Sequence, residues 1–175
     1  IVLMVGVMLL LMPFLPFPRR LLPLFLLPWL TQKPAALAPG EWSLTAFDVG
    51  QGLALAIRTR EHLLIYDAGP SWPGGSMAAQ SMRPWLSVTG QQVDRTVISH
   101  GDNDHAGGLT DLPAPGLLLS GEPHRVPGSQ LCQAGDQWRW DGVTFTVLWP
   151  RESGRAGNGA SCVLHVDGAF ASALL

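Results

Sequence analysis

The stretch "ISHGDNDHAGG", residues 98–108, sets two histidines and two aspartates within six positions, His100 to His105, between glycines. The five residues before it, "RTVIS" (95–99), have the β-branched, apolar character of a buried strand. His100 therefore stands at a strand end, and Asp102, Asp104 and His105 follow in the loop. Residues two apart in such a loop can face one point, and the adjacent Asp–His pair can turn toward a second. That pattern suits a pair of divalent cations acting on water and a scissile bond. Gly101, Gly107 and Gly108 permit the tight backbone path such a loop needs. A polar surface turn also favours Asp, Asn and Gly. It does not account for a histidine at each end of the hexapeptide directly after a buried strand.

Outward from this loop the chain divides by composition. Residues 1–30 hold only two charges, Arg19 and Arg20. They read as the end of a polytopic membrane region, with Ile1–Phe17 close to the lower limit of a span and prolines at 13, 16 and 18 ending or kinking it. The run opens on isoleucine with no basic segment before it, which disfavours a signal peptide. Residues 31–40, "TQKPAALAPG", form a linker, and residues 41–175 form one domain. From Gly40 onward eight arginines and no lysine stand against thirteen acidic residues, a balance of −5. That excludes a free-standing basic nucleic-acid binder, although a partner can still deliver nucleic acid to the domain.

Strands are expected at 42–49, 53–59, 62–67, 95–99, 117–120, 137–140, 143–148, 161–166 and 170–175, and a helix over 76–89 weakened by Pro84. Cys132 and Cys162 match no zinc motif. They read as two small buried residues, or as a disulfide if the compartment is oxidising.

"HGDNDH" resembles the His-x-His-x-Asp-His signature of the metallo-β-lactamase fold, with Asp102 at the middle histidine's place. "LIYDAG" (64–69) resembles the strand-end aspartate that precedes that signature. "FDVGQG" (47–52) and "DGVTFTVLWP…NGASCVLHV" (141–166) resemble the extracytoplasmic domain of ComEC-type competence proteins. The resemblance implies an α/β fold, a four-layer αββα sandwich that is incomplete at its C-terminal end. It implies a multi-pass inner-membrane protein for DNA uptake, working with other competence proteins. For this domain it implies metal-dependent hydrolysis of an incoming DNA strand, on the periplasmic side of the membrane. His100, Asp102, Asp104 and His105 match the metal ligands, and Asp67 the strand-end aspartate that supports the catalytic centre beside Asp104. Two ions, Zn²⁺ or Mn²⁺, are implied. The oxygen donor of Asp102 favours acceptance of Mn²⁺ as well as Zn²⁺. The resemblance also predicts a "TGD"-like turn beyond Leu175, carrying a bridging aspartate.

Asp48 either caps the turn at Gly50 or contacts metal. Asn158 and Ser161 read as loop-shaping residues. His165, His124 and His62 are weaker candidates, and Trp138, Trp140 and Trp149 belong either to the core or to a base-stacking surface. Two other functions fit the residues: a hydrolase of the same fold acting on a lactone, thioester or β-lactam, and a non-catalytic module that gates or assembles the channel.

Overall fold

A computed structural model describes residues 36–152 and 154–175. The expectation of a membrane segment at 1–30 lies outside them. Among the described residues no helix is long and apolar enough to cross a membrane.

The strands are β1 (Ser43–Ala46), β2 (Leu55–Arg58), β3 (Leu63–Tyr66), β4 (Ser71–Trp72), β5 (Gly75–Ser76), β6 (Arg95–Ile98), β7 (Leu117–Ser120), β8 (Gln130–Leu131), β9 (Gln137–Trp140), β10 (Val143–Trp149), β11 (Val163–Asp167) and β12 (Ser172–Leu174). A six-stranded sheet runs β1-β2-β3-β6-β7-β8, and a four-stranded sheet runs β12-β11-β10-β9. In the first sheet β1, β2 and β3 are antiparallel, and β3, β6, β7 and β8 are parallel.

The two sheets enclose one apolar layer. Leu55, Ile57, Leu64, Tyr66, Val97 and Leu119 meet Val143, Phe145, Val147, Leu164 and Val166 there. The six-stranded sheet is covered on its other face too, where Ala54, Ala56, Leu63 and Ile65 pack on Ala78, Met82 and Leu86. Burial on both faces explains why "HLLIYD" and "RTVIS" are nearly unbroken apolar runs rather than alternating ones. The four-stranded sheet alternates. Val143, Phe145 and Val147 point inward, whereas Thr144, Thr146 and Leu148 are partly or fully exposed.

The expected helix over 76–89 forms in two parts. A π-helical turn, Ala78–Met82, runs into α1 (Arg83–Thr89), with Pro84 in the first turn, where its missing N–H does no harm. Gly90, at φ +64°, ends it. Of the four layers implied, the described residues supply three, because their helices lie with the six-stranded sheet. Of the two readings of Cys132 and Cys162, the disulfide is the one that forms, joining the end of β8 to the segment before β11.

The β2–β3 turn is tied to the β9–β10 turn by Asp141. Its carboxylate accepts from Thr59 Oγ1 at 2.6 Å and from the Glu61 amide at 2.8 Å. Partial burial works against its charge, but these two bonds outweigh it and hold the carboxyl below the usual range. A carboxylate depressed in the folded state adds stability above its unfolded pKa and loses it as pH falls through the folded one. Asp141→Asn should therefore lower stability by about 1–2 kcal/mol at neutral pH. The gap to the wild type should close below about pH 4, as read from urea unfolding at several pH values.

Candidate metal centre

The parallel strands β3, β6 and β7 deliver Asp67, His100 and Glu122 at or just beyond their carboxyl ends, where open α/β sheets hold their ligands. Asp67 follows β3 with φ +57°, a backbone conformation uncommon for a side chain larger than hydrogen and often found at functional positions. Asp102 precedes the one-turn helix α2 (Asn103–Ala106), which carries Asp104 and His105.

Asp67 is fully buried. It accepts from the Ser99 amide at 2.6 Å, from Ser99 Oγ at 2.8 Å and from His105 Nδ1 at 2.7 Å. Burial pushes its carboxyl up, and the three bonds pull against that shift. The bond to Asp67 likewise raises His105, against the effect of burial. Taken as ionised, Asp67 can accept from all three of these donors at once.

With Asp67 ionised, these contacts are consistent with one pair of histidine tautomers. His105 gives its Nδ1 proton to Asp67. Ser99 Oγ gives its own proton to Asp67 and can accept one from His100 Nδ1, 3.1 Å away. Both rings then keep a free Nε2 lone pair, the form that binds metal. The rings lie 4.3 Å apart between centroids. His100 Nε2 is 3.2 Å from Asp102 Oδ2, and His105 Nε2 is 3.7 Å from Asp104 Oδ2.

Two donors of one tetrahedral ion, each about 2.0–2.1 Å from it, lie about 3.3–3.4 Å apart. Each His–Asp pair is close to that spacing. With its proton on Nδ1, His100 would turn an Nε2 lone pair toward Asp102 Oδ2, leaving a place for a cation or a proton between them. The residues present thus fit a divalent cation in pairs. Among the described residues no group of three or more His, Cys, Asp or Glu side chains is arranged around one point.

The neighbouring loop is keyed to this one. The Leu53 amide donates to the Asp104 carbonyl at 3.2 Å, and a Cβ on Gly52 would collide with that same carbonyl. The "DVGQG" stretch therefore seats the short helix α2 that carries Asp104 and His105. Asp48 takes the turn-capping role, accepting from the Gly50 amide at 3.2 Å.

Three contributors escaped the sequence reading. Ser99 links both histidines to Asp67. Glu122, fully buried, accepts from the amides of Gly101 (2.8 Å) and Gly157 (3.0 Å). Burial disfavours its charge, yet these amides and Arg125 hold its carboxyl below the usual range. Arg125 Nη1 donates to Asp102 Oδ1 at 2.8 Å and to Glu122 Oε2 at 3.2 Å. The acid at a strand end in "LLLSGEPHR" was the available signal.

Ser161 Oγ comes within 3.4 Å of His100 Nδ1, and Asn158 shapes the turn before it. His124 is exposed, with Nε2 4.0 Å from Glu122. His165 occupies β11 beside Thr146 and Leu174, between the inward-facing Leu164 and Val166. His62 stacks on Trp140 at 4.8 Å. Trp138 and Trp140 pack against the core, and Trp149 lies under Arg155.

Residues 47–116 match the metallo-beta-lactamase superfamily model. The chain is 38% identical over 149 residues to Recombination protein 2 of Haemophilus influenzae, covering 79% of this chain and 18% of that protein. It is 34% identical over 157 residues to competence protein ComA of Neisseria gonorrhoeae, covering 87% of this chain and 22% of that one. The chain carries a ComEC-type metallo-β-lactamase-like domain.

The chain spans about a fifth of the length of these curated relatives. Solved structures agree on the fold of the ComEC-type domain. A metallo-β-lactamase from Cronobacter sakazakii with a HARLDQ motif superposes with a TM-score of 0.58 at 18% identity, covering 80% of this chain and 56% of its own. The fold protein YhfI from Bacillus subtilis gives 0.51 at 10% identity, covering 77% and 61%.

Proposed function

We propose that this chain belongs to a protein for DNA uptake across the inner membrane, and that its ComEC-type domain hydrolyses phosphodiesters of the incoming strand with a divalent cation. One observation carries this reading: the ligand loop and its buried support are intact in a chain 34–38% identical to proteins named for competence and recombination. The domain then stands on the periplasmic side, and the Cys132–Cys162 disulfide supports an oxidising compartment.

A bound cation, Zn²⁺ or Mn²⁺, would polarise the phosphoryl oxygen and acidify a water. His100 and Asp102 would hold one ion and Asp104 and His105 another. Asp67 keeps the His105 proton on Nδ1. Ser99 steadies both rings, and Glu122 fixes the Gly101 amide beside His100.

The test is metal-stripped protein with end-labelled single-stranded DNA and each ion added back. Cleavage is expected with Mn²⁺ and with Zn²⁺, and a loss of at least 100-fold in Asp104→Ala and His100→Ala. Rescue by zinc alone refutes the Mn²⁺ assignment, and no cleavage with either ion refutes the hydrolase. The donors' arrangement in twos favours one second reading, a non-catalytic module that gates the channel. DNA uptake that survives Asp104→Ala would support it.

A further inference from the structure

Arg125 is the cation set into the ligand loop. Of the eight arginines from Gly40 onward, it is the one hydrogen-bonded to residues 100–105 among the described residues. Its anchor is unusual for an exposed arginine. Glu122, with no exposed side-chain surface, holds it from below, while the Arg125 side chain itself is 40% exposed.

The stem of Arg125 lies flat on Gly101. A Cβ at that glycine would stand 2.6 Å from Arg125 Cβ and 3.0 Å from Nε. The buried carboxylate and the bare backbone together fix where the guanidinium sits, and little side-chain entropy is left to lose on binding. Both hydrogen bonds described for the side chain leave from Nη1. The Nη2 and Nε donors remain for another acceptor, and their planar fork matches two oxygens of a phosphate.

The charge around it makes this cation consequential. Asp67, Asp102, Asp104 and Glu122 bring four carboxylates to the site. A phosphodiester approaching them is repelled unless positive charge meets it.

We propose that Arg125 is the phosphate-binding residue of this site: anchored by Glu122 across Gly101, it receives the backbone phosphate of a DNA strand and sets it against the His/Asp cluster. The assignment rests on the phosphodiester reading above for its ligand class. Its test is binding rather than turnover, so the two can fail separately.

The experiment measures fluorescence anisotropy of a labelled single-stranded oligonucleotide with the protein, in chelator so that nothing is cut. Arg125→Gln should weaken binding about tenfold and reduce the magnitude of the slope of log K against log salt by about 0.7, one phosphate contact on a single strand. Arg125→Lys should fall between, since it keeps the charge and loses the fork. Arg139→Gln, on the strand β9, should change affinity less than twofold. On an oligonucleotide with neutral methylphosphonate linkages, wild type and Arg125→Gln should bind equally. Unchanged urea midpoints would show that the variants fold.

The proposal is overturned if Arg125→Gln binds as wild type does, if its deficit persists on the neutral backbone, or if the wild type does not bind. Binding that depends on Arg125, together with no cleavage when Mn²⁺ or Zn²⁺ is restored, would remove the hydrolase reading and leave the phosphate site standing.

Discussion

Asp67→Ala should lower unfolding stability by about 3–5 kcal/mol and abolish measurable uptake of Mn²⁺ or Zn²⁺ in calorimetry. The side chain is wholly inside and serves three donors: the Ser99 amide, the Ser99 hydroxyl and His105 Nδ1. Alanine leaves these groups without their acceptor. For a domain whose total stability is about 5–15 kcal/mol, the loss is a large share.

Asp67→Asn separates the structural from the chemical part. Its amide oxygen can still accept from Ser99, so much of the stability should return. Its NH₂ would face His105 Nδ1, however, and a donor there drives the ring proton to Nε2, the atom needed for the cation. Near-native urea unfolding with at least tenfold weaker metal binding is the expected pattern. If Asp67→Asn binds metal as the wild type does, the tautomer argument is wrong.

The second large effect is that of the disulfide. Cys132 and Cys162 are 30 residues apart. Closing a loop of that length in the unfolded chain is worth about 3–4 kcal/mol. Reduction, or replacement of both cysteines by alanine, should shift the urea midpoint by that amount. The bond lies beside the candidate cation site, for the Cys132 amide donates to the Ser120 carbonyl and the Cys162 amide to the Ser99 carbonyl, both at 2.9 Å. Equal midpoints with and without reductant would show that the linkage adds nothing to the folded domain.

The fold was legible where period and burial agree. Strands β2, β3, β6, β7, β9 and β10 fall where alternation or apolar runs put them, because a sheet covered on one face writes itself into every second residue and one covered on both into an unbroken run. The two-residue strands β4, β5 and β8 leave no such trace; their pairing is set by neighbours distant in sequence. Pro84 weakened the expected helix, yet it sits in the first turn, where proline fits.

At the site, the candidate ligand hexapeptide and Asp67 carried a pattern: the structure bonds His105 to Asp67 and sets Asp102 3.2 Å from His100 and Asp104 3.7 Å from His105. Glu122 showed only as an acid at a strand end and Arg125 not at all, since an acid and an arginine three residues later look like an ordinary surface turn until the fold covers one of them. The cysteines show the same limit. Nothing local marks two residues 30 apart as partners; only the approach of β8 to the start of β11 does.

Gly52 bears on how inherited variation in this domain should be interpreted. It makes no bond to any candidate ligand, and its contribution is vacant space against the Asp104 carbonyl. Any side chain there must displace the short helix that presents Asp104 and His105. A missense change at this remote-looking position would thus mimic damage to the candidate metal ligands themselves, while every donor atom remained encoded in the gene.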